Sequence, residues 1–147
     1  MKMEEIEYQV VEPQDAQILA EIRAMAMKPS LVALGRFDEN RVRSRFLETF
    51  IPQDTIKLTL EGELLGFYVV RERSDHIWLD HLYIKPEHQN KQLGKKALTR
   101  VIELAKGKDL ALRLGALKGS LSNAFYQKNG FIQTHEDEFD IYYELAI

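Results

Sequence analysis

The stretch PEHQNKQLGKKAL, Pro86 to Leu98, brings together what is needed to hold a phosphate. It follows the strand-like run DHIWLDHLYI and opens an amphipathic helix, so Gly94, several backbone N–H groups and Lys91, Lys95 and Lys96 collect at a helix start. The first N–H groups of a helix have no partners inside it, and the helix dipole adds positive potential there. Pro86 cannot continue a β-ladder, so the strand ending Leu82-Tyr83-Ile84 stops beside it and leaves its last backbone groups for another partner. A plain strand-to-helix connector accounts for the same residues, because one glycine at a helix start does not choose between the two.

A second stretch, SLSNAFYQKNGF, runs from Ser120 to Phe131. Ser120 is expected to cap a short helix, and Gly130 suits the left-handed position just past its end. Tyr126 falls in the middle of that helix, where a tyrosine packs its ring and keeps its hydroxyl at the core edge. Asp80 precedes Leu82 and Ile84 on the same strand face, in place for a general base or, equally, for a structural carboxylate bonded to a neighbouring strand. His81 points to the opposite face, and His76, near a turn, is expected to be exposed. The segment KPSLVALGRFDENRVRSRF carries Arg36, Arg41, Arg43 and Arg45. These read first as a solvated face with surface ion pairs, and otherwise as a clamp for a ligand's carboxylate. Trp78, on the Asp80 face, is a core residue or a wall of that pocket.

Composition narrows the chemistry. The chain has no cysteine, so disulfides, thiolate nucleophiles and Cys-rich zinc sites are excluded, and no metal is expected. A net charge of −3 gives no general attraction to nucleic acid. The start MKMEEIEYQV is too acidic and too interrupted for a signal peptide, and no run approaches a membrane span, so the cytoplasm is the default location. A length of 147 residues suits one compact domain over 1–147.

The elements that position these residues follow from periodicity. Ile6, Tyr8 and Val10 alternate as in a short half-buried strand. Glu12-Pro13 starts a helix with Ile18, Leu19, Ile22, Met25 and Ala26 on one face, and Lys28-Pro29 is expected to end it. Asp38 caps a second helix carrying Val42, Phe46, Leu47 and Phe50, closed by Ile51-Pro52. TIKLTL, ELLGFYVVRER and HIWLDHLYI, separated by the turns EG and SD, read as three antiparallel strands. Gln92 to Lys106 is a helix with Leu93, Ala97, Leu98, Val101, Ile102 and Ala105 as its apolar stripe. Asp109 to Leu114 is a strand, Ser120 to Asn129 a short helix, FIQTH an edge and FDIYYELAI a final strand. The order β-α-α-β-β-β-α-β-α-β-β makes a mixed α/β (α+β) sheet with helices on its faces.

Together these stretches resemble the GNAT superfamily of acetyl-CoA-dependent N-acetyltransferases over nearly the whole chain. In that family the loop usually reads Q/R-x-x-G-x-G/A. Here it is Gln89-Asn90-Lys91-Gln92-Leu93-Gly94, with Gln92 in place of the middle glycine, as is similar in some aminoglycoside acetyltransferases. Tyr126, Lys128, Gly130 and Phe131 match the family's YxKxGF ending. Relatives commonly carry Asn six or seven residues before the tyrosine, where this chain has Ser120 and Gly119, which leaves Ser120 or Asn123 for that contact.

The resemblance implies a mostly antiparallel sheet of six to seven strands, helices on both faces and a splayed acetyl-CoA cleft between the fourth and fifth strands. It implies a pyrophosphate cradled from Asn90 to Lys95, a pantetheine arm paired along Leu82, Tyr83 and Ile84, and Tyr126 as the acid that protonates the departing thiolate. Acetyl would then pass to a primary amine by direct attack in a ternary complex. Neither nucleic acid nor membrane is an expected partner, and a homodimer and the identity of the acceptor, small molecule or protein, are left open. The alternative is a non-catalytic acyl-CoA-binding or sensing module. Tyr126 speaks against it, while Gln92 and Ser120 allow it.

Overall fold

The computed structural model describes residues 5–147; the first four, which open the acidic stretch read above as no signal peptide, lie outside the described residues. The chain runs β1 (Glu7–Val10), α1 (Ala16–Ala33), α2 (Glu39–Glu48), β2 (Thr55–Leu60), β3 (Glu63–Glu72), β4 (His76–Ile84), α3 (Leu93–Lys108), β5 (Ala111–Leu117), α4 (Ser122–Lys128), β6 (Ile132–Glu136) and β7 (Asp140–Leu145). The strands form a seven-stranded sheet in the order β1-β2-β3-β4-β5-β7-β6. The pairs β1–β2, β2–β3, β5–β7 and β6–β7 are antiparallel, and β4–β5 is parallel. The expected mixed, mostly antiparallel sheet is therefore present. By compactness the chain divides into residues 1–69 with 81–96, and residues 70–80 with 97–147.

In the first unit, α1 and α2 bury Leu19, Ala20, Ile22 and Phe46 in one cluster with Val11, Phe67 and Val69. Two expectations for α1 are corrected. The helix does not stop at Pro29 but passes through it to Ala33. A proline inside a helix removes one N–H, here the one that would reach Met25, and the chain ends the helix instead at Gly35, whose φ of +69° lies in the region that favours glycine. The buried face is also rotated from the one expected: Ile18 and Met25 are exposed, while Ala20, Arg23 and Ala24 are buried. Leu19 and Ile22 of the expected face are buried with them, and the small Ala20 and Ala24 permit close approach on that side. Asp38 caps α2 as expected, accepting from the N–H groups of Asn40 and Arg41. The first strand is less regular than its pattern, with Ile6 buried just before it and Val10 largely exposed. The EG turn holds Glu61 at φ +52° and Gly62 at φ +84°, which a two-residue hairpin requires.

In the second unit, Ile77, Leu79, Leu112, Leu114, Ala97, Leu98, Val101 and Ala105 are buried, so the stripe expected on α3 is the face it hides. The strand after it begins at Ala111 rather than Asp109. Asp109, at φ +56°, closes α3 instead, with its own N–H bonded to Lys106 O and that of Leu110 to Ala105 O. Ser120 does not cap α4. Leu121 holds that position without a side-chain bond, because the Ser120 hydroxyl lies 2.6 Å from the Ser122 hydroxyl and the helix starts two residues later. Gly130 ends the helix at φ +94°, as expected.

One glycine fixes how closely two strands approach. A Cβ on Gly66 of β3 would press on the Tyr83 carbonyl and stand 2.8 Å from Ile84 Cδ1 and 3.0 Å from Ile84 Cα. Gly66→Ala should therefore push β4 away at Tyr83–Ile84 and destabilise the protein by about 1–3 kcal/mol, as overpacking does. Chemical denaturation measures this, and an unchanged midpoint would show that the strands can part without cost.

Candidate functional site

The end of β4 and the loop into α3 lie in the first unit. Leu82 and Tyr83 are half-buried and Ile84 is buried. The Tyr83 hydroxyl donates to the Met27 sulfur at 3.3 Å, and its ring lies 5.7 Å from that of Phe67. His81 packs edge-on against Phe46 at 5.4 Å, on the face of β4 opposite Asp80. A 3-10 turn, Pro86–His88, follows the strand and is closed by the His88 N–H on Lys85 O at 2.8 Å. Gln89 then reaches back, its Nε2 donating to the Ile84 carbonyl at 3.1 Å, which ties the loop to the strand end. His88 lies 2.8 Å from Glu63 and 3.4 Å from the Lys91 ammonium.

Asn90 and Gln92 both have left-handed backbones, at φ +65° and +64°. Asparagine tolerates that region, whereas for glutamine it costs roughly 1–2 kcal/mol, which is why a glycine is the easier residue there. The Lys96 N–H donates to Gln92 O at 3.0 Å, the first bond of the helix, so the N–H groups of Leu93, Gly94 and Lys95 point along the axis out of its start. Gln89, Asn90, Lys91, Gln92 and Lys95 are exposed, Gly94 is half-buried, and Leu93 is buried and anchors the turn.

Asp80 and α4 lie in the second unit. Asp80 Oδ2 lies 3.2 Å from both Nε and Nη2 of Arg71, itself buried, and Asp80 Oδ1 accepts from Trp78 Nε1 at 3.3 Å. The carboxylate is held in one orientation by these bonds. Trp78 stands with Tyr142 around Gly115, whose added Cβ would lie 3.0 Å from the Tyr142 ring. His76, expected to be exposed, is half-buried, with Nδ1 2.7 Å from Asp75, which is thereby held below the usual carboxylate range. Tyr126 is buried, and its ring packs against those of Phe125 at 5.2 Å, Phe131 at 5.5 Å and Tyr143 at 6.4 Å. The Asn123 amide donates to Leu117 O at 2.9 Å and Ser120 O at 3.1 Å, and accepts from the Tyr143 hydroxyl at 2.8 Å. Lys128 is exposed in the last turn of α4.

Of the arginines considered for a carboxylate clamp, Arg36, Arg41, Arg43 and Arg45, Arg43 pairs with Glu21, its Nε at 2.7 Å, and its Nη1 donates to Glu39 O at 2.7 Å. Arg71 and Tyr143 belong to no motif and emerge only in the structure. A sign of the first was available. With the Ser74-Asp75 turn as the hairpin centre, closed by the Arg73 N–H on His76 O, Arg71 falls beside Trp78 and Asp80. Among the described residues no group of three metal-ligating side chains occurs, and no helix is long and apolar enough to cross a membrane.

The model of the acetyltransferase (GNAT) family matches residues 16–131. No curated protein matches the chain in sequence. Among solved structures, the chain is similar to the paia N-acetyltransferase from Thermoplasma acidophilum in complex with coenzyme A, at 23% identity over 97% of this chain and 99% of that one, with a TM-score of 0.81. It is similar to an acetyltransferase from Thermus thermophilus, at 19% identity over 97% of each chain and a TM-score of 0.75. A putative streptothricin acetyltransferase from Bacillus anthracis in complex with acetyl coenzyme A shares 18% identity over 63% of this chain and 61% of that one, with a TM-score of 0.57.

Two predictions follow from local geometry. Gln92→Gly removes a side chain from a left-handed residue, so the melting temperature should hold or rise despite the entropy cost of glycine, whereas Gln92→Val should lower it. A lower melting temperature for the glycine variant would mean that the Gln92 side chain makes contacts that outweigh the strain. In the second unit, Tyr142 donates to Asp137 at 2.7 Å, and this bond, with burial second, pushes its pKa up to about 12. A raised pKa favours the protonated form in the folded state, so this stability is full below about pH 10 and is lost as pH rises through about 12. Tyrosinate absorbance should show this late titration, and Asp137→Asn should move it down toward 10.

Proposed function

Because this chain belongs to the acetyltransferase (GNAT) family and is an acyltransferase, we propose that it moves the acetyl group of acetyl-CoA to a primary amine by direct attack in a ternary complex. The observation that carries the reading is the backbone at the start of α3. Left-handed residues such as Asn90 and Gln92 are the form from which anion-binding nests are built, and here they stand at a helix N-terminus with lysines around it. The pyrophosphate of acetyl-CoA takes the N–H groups from Asn90 to Lys95, with Lys91 and Lys95 as nearby cations. Gln89 keeps this loop against the strand end. The pantetheine amides pair with Leu82, Tyr83 and Ile84 as an added strand, and a strand-end N–H receives the thioester oxygen as it gains negative charge. Ser120 and Lys128 are the further contacts to the cofactor. The coenzyme A bound in the Thermoplasma acidophilum protein supports this assignment.

Proton transfers complete the reaction. A lysine-like amine, with a pKa of about 10, must lose a proton before it attacks. Asp80 takes that proton through water, its orientation fixed by Arg71 and Trp78. The amine then adds to the thioester carbonyl, the C–S bond breaks as the tetrahedral intermediate collapses, Tyr126 protonates the departing sulfur, and the nitrogen's second proton passes through water to the Tyr126 phenolate, leaving a neutral amide and the CoA thiol.

Acetyl-CoA should raise the melting temperature by mass action, and Gly94→Glu should abolish that shift by crowding and charge. Tyr126→Phe keeps the ring, so acetyl-CoA affinity should change little while kcat falls by about a hundredfold. Asp80→Asn should shift the pH–rate profile, with activity partly recovered at high pH. No thermal shift with saturating acetyl-CoA would falsify the reading as a whole. Full kcat in Tyr126→Phe would return that residue to packing, and an Asp80→Asn variant that melts earlier with an unmoved profile would make Asp80 structural.

A further inference from the structure

α4 is a helix of two turns whose N-cap residue, Leu121, makes no side-chain bond. A segment that short has no stability of its own in water, so its position is set by what grips it. Much of that grip passes through one side chain. The Asn123 amide donates to Leu117 O, Ser120 O and the Ser120 hydroxyl at 2.9, 3.1 and 3.2 Å, which pins the first turn to the end of β5. Its Oδ1 accepts from the Tyr143 hydroxyl at 2.8 Å, and that hydroxyl also accepts from Gln127 Nε2 at 3.3 Å.

Tyr143 is a rigid anchor. It is 1% exposed and paired in register with Leu114 of β5 on one side and Gln133 of β6 on the other. Asn123 and Gln127, bonded to it or to its hydroxyl, flank Tyr126 in the same helix. An apolar contact would bury this face of α4 as well, but it would not fix the helix's rotation and rise. Directional bonds to a buried hydroxyl do, provided every partner is satisfied.

We propose that Asn123 and Tyr143 are positioning residues, which aim the Tyr126 hydroxyl at the leaving sulfur by locking α4 to the centre of β7. The proposal rests on Tyr126 being the acid, as argued above. It also gives Asn123 a task that uses its amide fully within the loop. Misplacement of a proton donor by an ångström reduces rate steeply while leaving the binding of the cofactor's remote parts unchanged.

The test is a double-mutant cycle, with the amine that gives the fastest CoA release in a panel of primary amines. Tyr143→Phe is isosteric and removes only the donor to Asn123. It should lower kcat about tenfold, leave the KM for acetyl-CoA within about twofold and still melt cooperatively. Asn123→Ala should do the same to a larger extent. In a Tyr126→Phe background neither change should lower kcat further, because the group they aim is gone. If the losses multiply, or if both variants lose the fold, the bonds serve the domain and not the tyrosine, and the proposal fails while the acid assignment stands. Should Tyr126→Phe alone keep full kcat, the acid assignment fails and the positioning role falls with it.

Discussion

The parallel pairing of β4 with β5 is the constraint on which the remaining architecture depends. The ladder joins His76 to Ala111 and runs to Leu79 with Leu114, within a sheet where β1–β2, β2–β3, β5–β7 and β6–β7 are antiparallel. Antiparallel strands can be joined by two residues, as β2 and β3 are. Parallel strands need a crossover, and α3 is that crossover. A right-handed strand–helix–strand unit places the helix N-terminus just past the C-terminal end of its first strand. The loop 85–92 therefore lies where ligands bind in open sheets with parallel strands, at the carboxyl end of a strand. The glycine, the lysines and the left-handed residues stand at this place because the crossover puts a helix start there.

The two units reach rigidity by different means. In the first, the end of β4 rests on rings: Phe46, Phe67, His81 and Tyr83 meet at 5.3 to 5.7 Å, and the absence of a side chain at Gly66 lets β3 approach Tyr83 and Ile84 closely. Aromatic packing gives a strand end flat, dense support. In the second, the side chains assigned to chemistry are held by polar partners: Asp80 by Arg71 and Trp78, and α4 by Asn123 and Tyr143. Burying an arginine is unfavourable unless its charge is paired, so the Arg71–Asp80 bond fixes both residues. Bonds of this kind set direction, which a proton-transfer group needs and a packed ring cannot supply.

Much of this was legible in the sequence, and the exceptions share a cause. Element order, the Asp38 cap, the stripe on α3 and the stop at Gly130 depend on short-range chemistry, which adjacent residues display. The errors came where a distant partner decided. The apolar periodicity of α1 places Leu19 and Ile22 correctly in the core, but the buried face extends to Ala20, Arg23 and Ala24 and leaves Ile18 and Met25 outside. Pro29 reads as a stop, but one missing N–H does not end a helix that has tertiary support and a glycine terminator further on. Ser120 had the right side chain for a cap, but its hydroxyl faces Ser122 and the Asn123 amide. For the candidate site, the loop and Tyr126 were visible as motifs. Arg71 and Tyr143 were not, because their roles arise only where strands lie side by side.

Gln92 shows how a departure from a sequence pattern can leave the underlying physics intact. Read as letters, the loop lacks the glycine that its resemblance calls for, and that loss was one reason to keep a non-catalytic reading open. Read as backbone, position 92 has the left-handed conformation that a glycine would adopt, and its carbonyl still receives the first bond of α3. What a phosphate meets is the direction of N–H groups, and direction is a property of φ and ψ rather than of the side chain. The glutamine adds local strain of roughly 1–2 kcal/mol, small enough for a folded domain to carry. The side chain itself is exposed, so it leaves the helix start open to solvent. The altered letter is thus no argument against a phosphate at this loop, and the non-catalytic alternative loses the support it drew from Gln92.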